Sequence, residues 1–229
     1  MKNNIAVWGL KRAKSTIAYI EYLSLIDPQV SDHKFRFLNE PFSRIHTESD
    51  QYEINELRQL IRTSPTVIKN HLEHTQYMSN EDIDYFKSNY DNILIYTSDW
   101  FDIIISFCLA MATNEWQVTQ DKTEGLDKYV GKTAVISIKD LAKTDELFRE
   151  FLTHTPDIQW DKVYNADNLY VDSWFTQQKP KNKTIINYDN LKEYYYNTFN
   201  LTWQIGNWKC SAGRLYYPHN ERIRAIQDY

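Results

Sequence analysis

Short apolar runs that end in polar residues alternate with helix-forming stretches along most of this chain, and that alternation limits its fold more than any other feature. Ile5-Ala6-Val7-Trp8 is followed by a basic loop and then by an apolar stretch from Ile17 to Ile26. Thr66-Val67-Ile68 runs into Lys69-Asn70-His71, and Ser79-Asn80-Glu81-Asp82 then carries the serine-plus-acid pattern that starts a helix. Ile93-Leu94-Ile95-Tyr96 runs into Thr97-Ser98-Asp99 and a strongly apolar helix from Trp100 to Trp116. Strands alternating with helices specify an α/β fold, three layers (α/β/α) about a central parallel sheet. Ligands of open parallel sheets bind beyond the carboxyl ends of the strands. Those ends here carry Lys11 to Thr16, Lys69 to His71, Thr97 to Asp99, and Tyr188, which are expected to meet in one crevice.

The remaining pattern fills out one domain over 1–229. A second strand is expected from His33 to Leu38, and a helix from Glu53 to Thr63 through Ile54, Leu57, Leu60 and Ile61. Ala134 to Ile138 and Thr184 to Tyr188 are expected to be further strands, and Leu141 to Leu152 and Leu191 to Phe199 helices. Gln117 to Lys132 is expected to be a loop or lid, Pro156 to Lys183 irregular, and Asn220 to Gln227 an amphipathic helix.

Composition narrows the function. The residues are 42% hydrophobic and 15% aromatic, ample for a sizeable core, and 17 Tyr with seven Trp imply that many rings sit half exposed along a groove or interface. A net charge of −5 disfavours nucleic acid as an electrostatic partner. Two cysteines, Cys108 and Cys210, make neither a disulfide framework nor a CxxC metal site. Met1 to Asn4 leads straight into the first strand, so no signal peptide is expected, and Ile103 to Met111 is too short to span a bilayer. A soluble cytoplasmic protein without a membrane partner is expected.

The loop after the first strand has the chemistry of an anion site. Successive backbone N–H groups and a helix N-terminus favour phosphate. Lys11, Arg12 and Lys14 add charge, and Ser15 and Thr16 add hydroxyl donors and a helix cap. A Walker A loop ends in Gly-Lys-Ser/Thr, whereas Ala13 precedes Lys14 here. A basic surface loop between a buried strand and a helix is the plainer alternative.

Four stretches, in order, resemble the sulfotransferase family that uses 3′-phosphoadenosine 5′-phosphosulfate. Lys11-Arg12-Ala13-Lys14-Ser15-Thr16 falls in register with that family's 5′-phosphosulfate loop, and Val67-Ile68-Lys69-Asn70-His71-Leu72 is similar to its Lys-Thr-His-Leu segment. Ile93 to Ser106 matches its 3′-phosphate segment at Asp102 and Ser106, with Ser98 where the family has Arg and Trp100 in place of Pro. Ile186-Asn187-Tyr188-Asp189-Asn190-Leu191 looks like its Tyr-Glu-Asp-Leu segment, and Gly206-Asn207-Trp208-Lys209 and Asn220-Glu221-Arg222 are weaker matches near the end.

The resemblance implies a P-loop-like fold and sulfuryl transfer without a metal to a hydroxyl or amine of a small-molecule or carbohydrate acceptor. It implies His71 as general base, with Arg12 and Lys69 neutralising the transferring group. It implies Lys11, Arg12, Ala13, Lys14, Ser15 and Thr16 around the 5′-phosphate, Ser98 and Ser106 near the 3′-phosphate, and Tyr188 beside the adenine. Plainer readings stand beside these: a structural His71, a metal-binding His71–His74 pair, Asp102 as a helix cap, and Ser106 bonded to its own helix. A catalytically inactive sulfotransferase-like binding protein and a P-loop nucleotide kinase are the rival functions.

Overall fold

The computed structural model describes residues 4–10, 36–44, 50–63, 65–97, 99–114, 133–165, 185–206, 208–211 and 214–216. Its frame is a five-stranded sheet in the order β2-β3-β1-β4-β5, parallel throughout. The strands are β1 (Asn4–Gly9), β2 (Arg36–Asn39), β3 (Thr66–His71), β4 (Tyr90–Tyr96) and β5 (Lys162–Asn165). Helices α1 (Asp50–Thr63), α2 (Asn80–Asn89), α3 (Trp100–Thr113), α4 (Ile138–Thr153) and α5 (Tyr188–Thr198) follow in chain order, with short 3-10 helices at Pro41–Arg44 and Leu72–Tyr77. Among the described residues, no helix is long and apolar enough to cross a membrane.

β1 is central because both of its faces are apolar. Alternate strand residues point to opposite faces, and Ala6 and Trp8 on one and Val7 on the other are all fully buried. Val67, Ile93 and Ile95 share the face of Val7, so both sides of the sheet are covered, as a parallel sheet requires. On the other face Trp8 meets Phe86 of α2 edge to face at 5.2 Å and Trp160 at 6.4 Å. Its indole N–H donates to Asn92 Oδ1 at 3.0 Å, and the Asn92 amide donates to the carbonyls of Phe86 and Tyr90. Helix α2 starts as its sequence dictates: Ser79 and Asp82 form a reciprocal capping box. Arg58 of α1 clamps the same buried Asp82 with contacts of 2.7–3.0 Å.

The connection after β1 leads past β3 to β2, whereas the connection after β4 leads outward to β5. The neighbours β1 and β4 therefore send the chain in opposite directions, the kind of switch point at which open parallel sheets bind their ligands.

Several expectations are corrected. The run expected as a strand from Thr184 to Tyr188 is not a buried strand over its described residues, 185–188: Ile185 makes one bridge with Ala134, Ile186 is 68% exposed, and Tyr188 begins α5. Ala134 to Ile138 likewise contributes only that bridge before Ser137 caps α4. The stretch expected to be irregular supplies β5, and a three-stranded antiparallel sheet, β6 (Trp203–Ile205), β7 (Trp208–Ser211) and β8 (Arg214–Tyr216), was not anticipated. The four tryptophans with described side chains, at 8, 100, 160 and 203, are buried rather than lining a groove. The lid at 117–132 and the helix at 220–227 lie outside the described residues.

Trp203 anchors the small sheet by stacking on Trp100 at 4.1 Å, with the Arg149 guanidinium 4.3 Å from its ring centre. Arg149 also pairs with Asp145 at 2.6 Å and donates to the carbonyls of Asn200 and Thr202. Gly206 (φ +53°) turns the first hairpin where a Cβ would come within 2.8 Å of the Thr155 carbonyl oxygen, so only glycine fits. Arg149→Ala is expected to cost roughly 1.5–3 kcal/mol, the range for hydrogen bonds to charged groups. Urea unfolding followed by tryptophan fluorescence measures it; a loss below about 0.5 kcal/mol would show that the small sheet is held by other contacts.

Candidate functional site

The carboxyl ends of β2 and β3 lie side by side, with Asn39 paired to Lys69. Glu40 then leaves the strand with φ of +52°, a left-handed conformation uncommon outside glycine. Its N–H donates to the Lys69 carbonyl at 2.8 Å, which holds the turn. Lys69 and His71, two residues apart on β3, share a face, and both reach Glu40. Lys69 Nζ donates to Glu40 Oε1 at 2.5 Å, and His71 Nε2 lies 2.8 Å from the same oxygen. Lys69 is 1% exposed and His71 4%.

This arrangement settles the protonation pattern of the ring. An ionised carboxylate only accepts, so the hydrogen of a neutral His71 sits on Nε2 and its lone pair on Nδ1. Nδ1 is buried and has no hydrogen-bond partner among the described residues. A carboxylate that fixes one imidazole nitrogen and leaves the other to take a proton is the working arrangement of a general base. The ring also stands 5.2 Å from that of the buried His74, nearly perpendicular to it.

Burial alone would raise the Glu40 carboxyl. The hydrogen bond from His71, with its charge whenever the ring is protonated, and the hydrogen bond and charge of Lys69 outweigh it and hold the group well below the usual carboxylate range. Asp82 is lowered in the same way, burial being outweighed by Arg58 and Ser79. Carboxyls depressed on folding stabilise the protein above their unfolded values, here 4.5 and 3.8, and the gain is lost as pH falls towards the folded values. Stability in urea is therefore expected to be level from about pH 7 to 5 and to fall below that. Glu40→Gln is expected to flatten the acid limb, and an unchanged limb would show that Glu40 does not carry this linkage.

At the end of β4 the correction concerns the cap. Asp99, not Asp102, caps α3: the Asp102 N–H donates to Asp99 Oδ1 at 3.1 Å, and the Tyr196 hydroxyl donates to the same oxygen at 3.0 Å. Tyr188 opens α5 with its ring 5.4 Å from Phe101 of α3. Burial, then the charges of Asp102, Asp99 and Asp189, push its hydroxyl above its ordinary value. Ser106 is buried within α3.

Of the residues singled out from the sequence, Lys69 and His71 are brought together, and Tyr188 and Ser106 lie against or within α3. Lys11, Arg12, Ala13, Lys14, Ser15, Thr16 and Ser98 lie outside the described residues. Gly9, where the basic loop departs, is in register with both His71 and Ile95, which places the start of that loop between the two strand ends. Glu40 was missed; its only signal was an acid followed by proline at the end of a strand. Among the described residues no group of three or more His, Cys, Asp or Glu is gathered as a metal site.

No protein-family model matches the chain, and no curated protein matches it in sequence.

Proposed function

We propose that this chain is a sulfotransferase of P-loop-like fold that moves a sulfuryl group from 3′-phosphoadenosine 5′-phosphosulfate to a hydroxyl or amine of a small-molecule or carbohydrate acceptor. The observation that carries the reading is His71, held through Nε2 by Glu40, its Nδ1 without a hydrogen-bond partner among the described residues, at a strand end in register with the start of the basic loop. The order β2-β3-β1-β4-β5, with the loop leaving the central strand, supports the fold assignment.

In this reading His71 Nδ1 takes the proton of the acceptor hydroxyl or amine as its oxygen or nitrogen bonds to sulfur. The bond from sulfur to the bridging phosphate oxygen breaks, and its electron pair leaves with 3′-phosphoadenosine 5′-phosphate. Glu40 stabilises the imidazolium that forms, and Lys69 with Arg12 offsets charge on the departing phosphate. Such in-line transfer depends chiefly on positioning and charge stabilisation.

The test is release of 3′-phosphoadenosine 5′-phosphate from the donor with phenol, hexose and hexosamine acceptors, in chelator and then in magnesium. Acceptor-dependent, magnesium-independent release is expected. A folded protein that releases none with any acceptor, or that instead transfers phosphate from ATP with magnesium, overturns the reading.

A further inference from the structure

The two donors that hold Glu40 share one of its oxygens. Lys69 Nζ and His71 Nε2 both lie on Oε1, at 2.5 Å and 2.8 Å. An ionised carboxylate accepts on both oxygens, and among the described residues Oε2 receives no donor. The Glu40 side chain is 15% exposed, against 2% for that of Lys69 and 5% for that of His71. Solvent therefore reaches the trio mainly through the carboxylate, and a molecule that approaches His71 meets Glu40 beside it.

Oε2 is also fixed in place. The backbone of Glu40 is left-handed, its N–H is bonded to the Lys69 carbonyl, and Pro41, which opens the following 3-10 helix, has a locked φ. At the other end of the side chain Oε1 is held by its two donors. A carboxylate anchored at both ends differs from a surface glutamate free to turn in solvent. Oε2 and His71 Nδ1, the latter buried and without a partner among the described residues, are separated by one carboxyl group and one imidazole ring. Two fixed acceptors at that spacing suit a ring that carries several hydroxyl groups, one donating to each. An acceptor with a single hydroxyl satisfies only one of them.

We infer that Glu40 is a specificity-determining residue, Oε2 accepting a hydrogen bond from a second hydroxyl of the acceptor while His71 Nδ1 takes the proton of the reacting one. Its role in choosing the acceptor rests on the sulfuryl-transfer reading; binding of a polyhydroxylated ring at Glu40 does not. A site that hydrogen-bonds a substrate hydroxyl discriminates strongly against the analogue that lacks it.

Glu40→Gln isolates the second oxygen. Lys69 and His71 both donate, so the amide oxygen of the variant is held where Oε1 was, and its NH₂ group, a donor, stands where Oε2 was. The probes are methyl glucoside and cyclohexanol, a six-membered ring with one hydroxyl. Each is titrated without donor into ¹⁵N-labelled protein, following the backbone amides of Glu40 and His71. Methyl glucoside is expected to shift both signals, to bind wild type about tenfold or more tighter than cyclohexanol, and to bind Glu40→Gln about tenfold or more weaker than wild type. Absence of shifts at these amides, glucoside binding no tighter than that of cyclohexanol, or an unchanged glucoside affinity in the folded variant each overturns the inference. The first two outcomes are read on wild type alone. With donor present, kcat/KM for the glucoside relative to cyclohexanol is expected to fall about tenfold or more in Glu40→Gln, because loss of the charge beside His71 affects both acceptors alike. An unchanged ratio would leave Glu40 as a positioning residue for His71 only and overturn the inference. Failure of transfer with both acceptors counts against sulfuryl transfer, and the donor-free titration still decides the binding.

Discussion

His71→Gln is expected to lower kcat for sulfuryl transfer by about 10²–10⁴-fold, the contribution of a positioned general base, and to leave the protein folded. The glutamine amide still donates to Glu40, so the buried carboxylate keeps a partner in place of the ring nitrogen now 2.8 Å away. What it lacks is the basic nitrogen that Nδ1 supplies. His71→Ala removes both functions and opens a cavity beside the Lys69–Glu40 pair, so it tests stability and catalysis together, whereas the glutamine variant separates them. The expected pattern is a urea midpoint close to wild type with activity largely gone. Retention of more than about a tenth of the wild-type rate in the folded glutamine variant would assign His71 a structural role.

The largest stability effect is expected at Trp8. The side chain is fully buried in the central strand, touches Phe86 and Trp160, and donates to Asn92 Oδ1. Large-to-small changes of this kind cost roughly 3–5 kcal/mol. Trp8→Ala also deprives a buried amide oxygen of its indole donor, which adds about 1–3 kcal/mol where nothing replaces it. Against a total stability of roughly 5–15 kcal/mol for an ordinary domain, most of the margin is removed. Trp8→Phe keeps much of the packing and isolates the hydrogen bond. Urea unfolding followed by circular dichroism is the measurement. A cost below about 2 kcal/mol for the alanine variant would show that this face of the sheet repacks readily.

What was legible in the sequence is what local patterns encode. The apolar runs at Ile5, Val67 and Ile93 became the three inner strands because a buried parallel strand needs no alternation, only an apolar run of the right length. Ser79 with Asp82 marked the start of α2 correctly, since a capping box is complete within four residues. Ile185-Ile186 shows the limit of the same rule: two adjacent β-branched residues resemble a strand, yet one is buried and the other exposed at the entrance to α5. The short β5 run, Val163-Tyr164 flanked by polar residues, takes its strand form from pairing with β4, a partner nearly seventy positions away (Asp161 Oδ2 accepts from the Asn92 N–H at |i−j| of 69).

The candidate site divides the same way. Lys69 and His71 share a strand and a face, so their proximity follows from period two alone. Glu40 joins them only because β2 pairs with β3 and because its own backbone turns left-handed, neither of which a local pattern reveals. Asp102 was the expected cap for α3, whereas the cap is Asp99, because its side chain is the one that reaches the free Asp102 N–H group.

The most direct test of sulfuryl transfer at these strand ends is calorimetric titration with 3′-phosphoadenosine 5′-phosphate, in wild type and in Arg12→Ala, with ATP and magnesium titrated alongside. Binding of the bisphosphate at micromolar strength or tighter, at least tenfold weaker in Arg12→Ala and stronger than that of ATP, is the predicted result. A folded protein that gives no heat with the bisphosphate, or that binds ATP–magnesium in preference to it, would contradict the account.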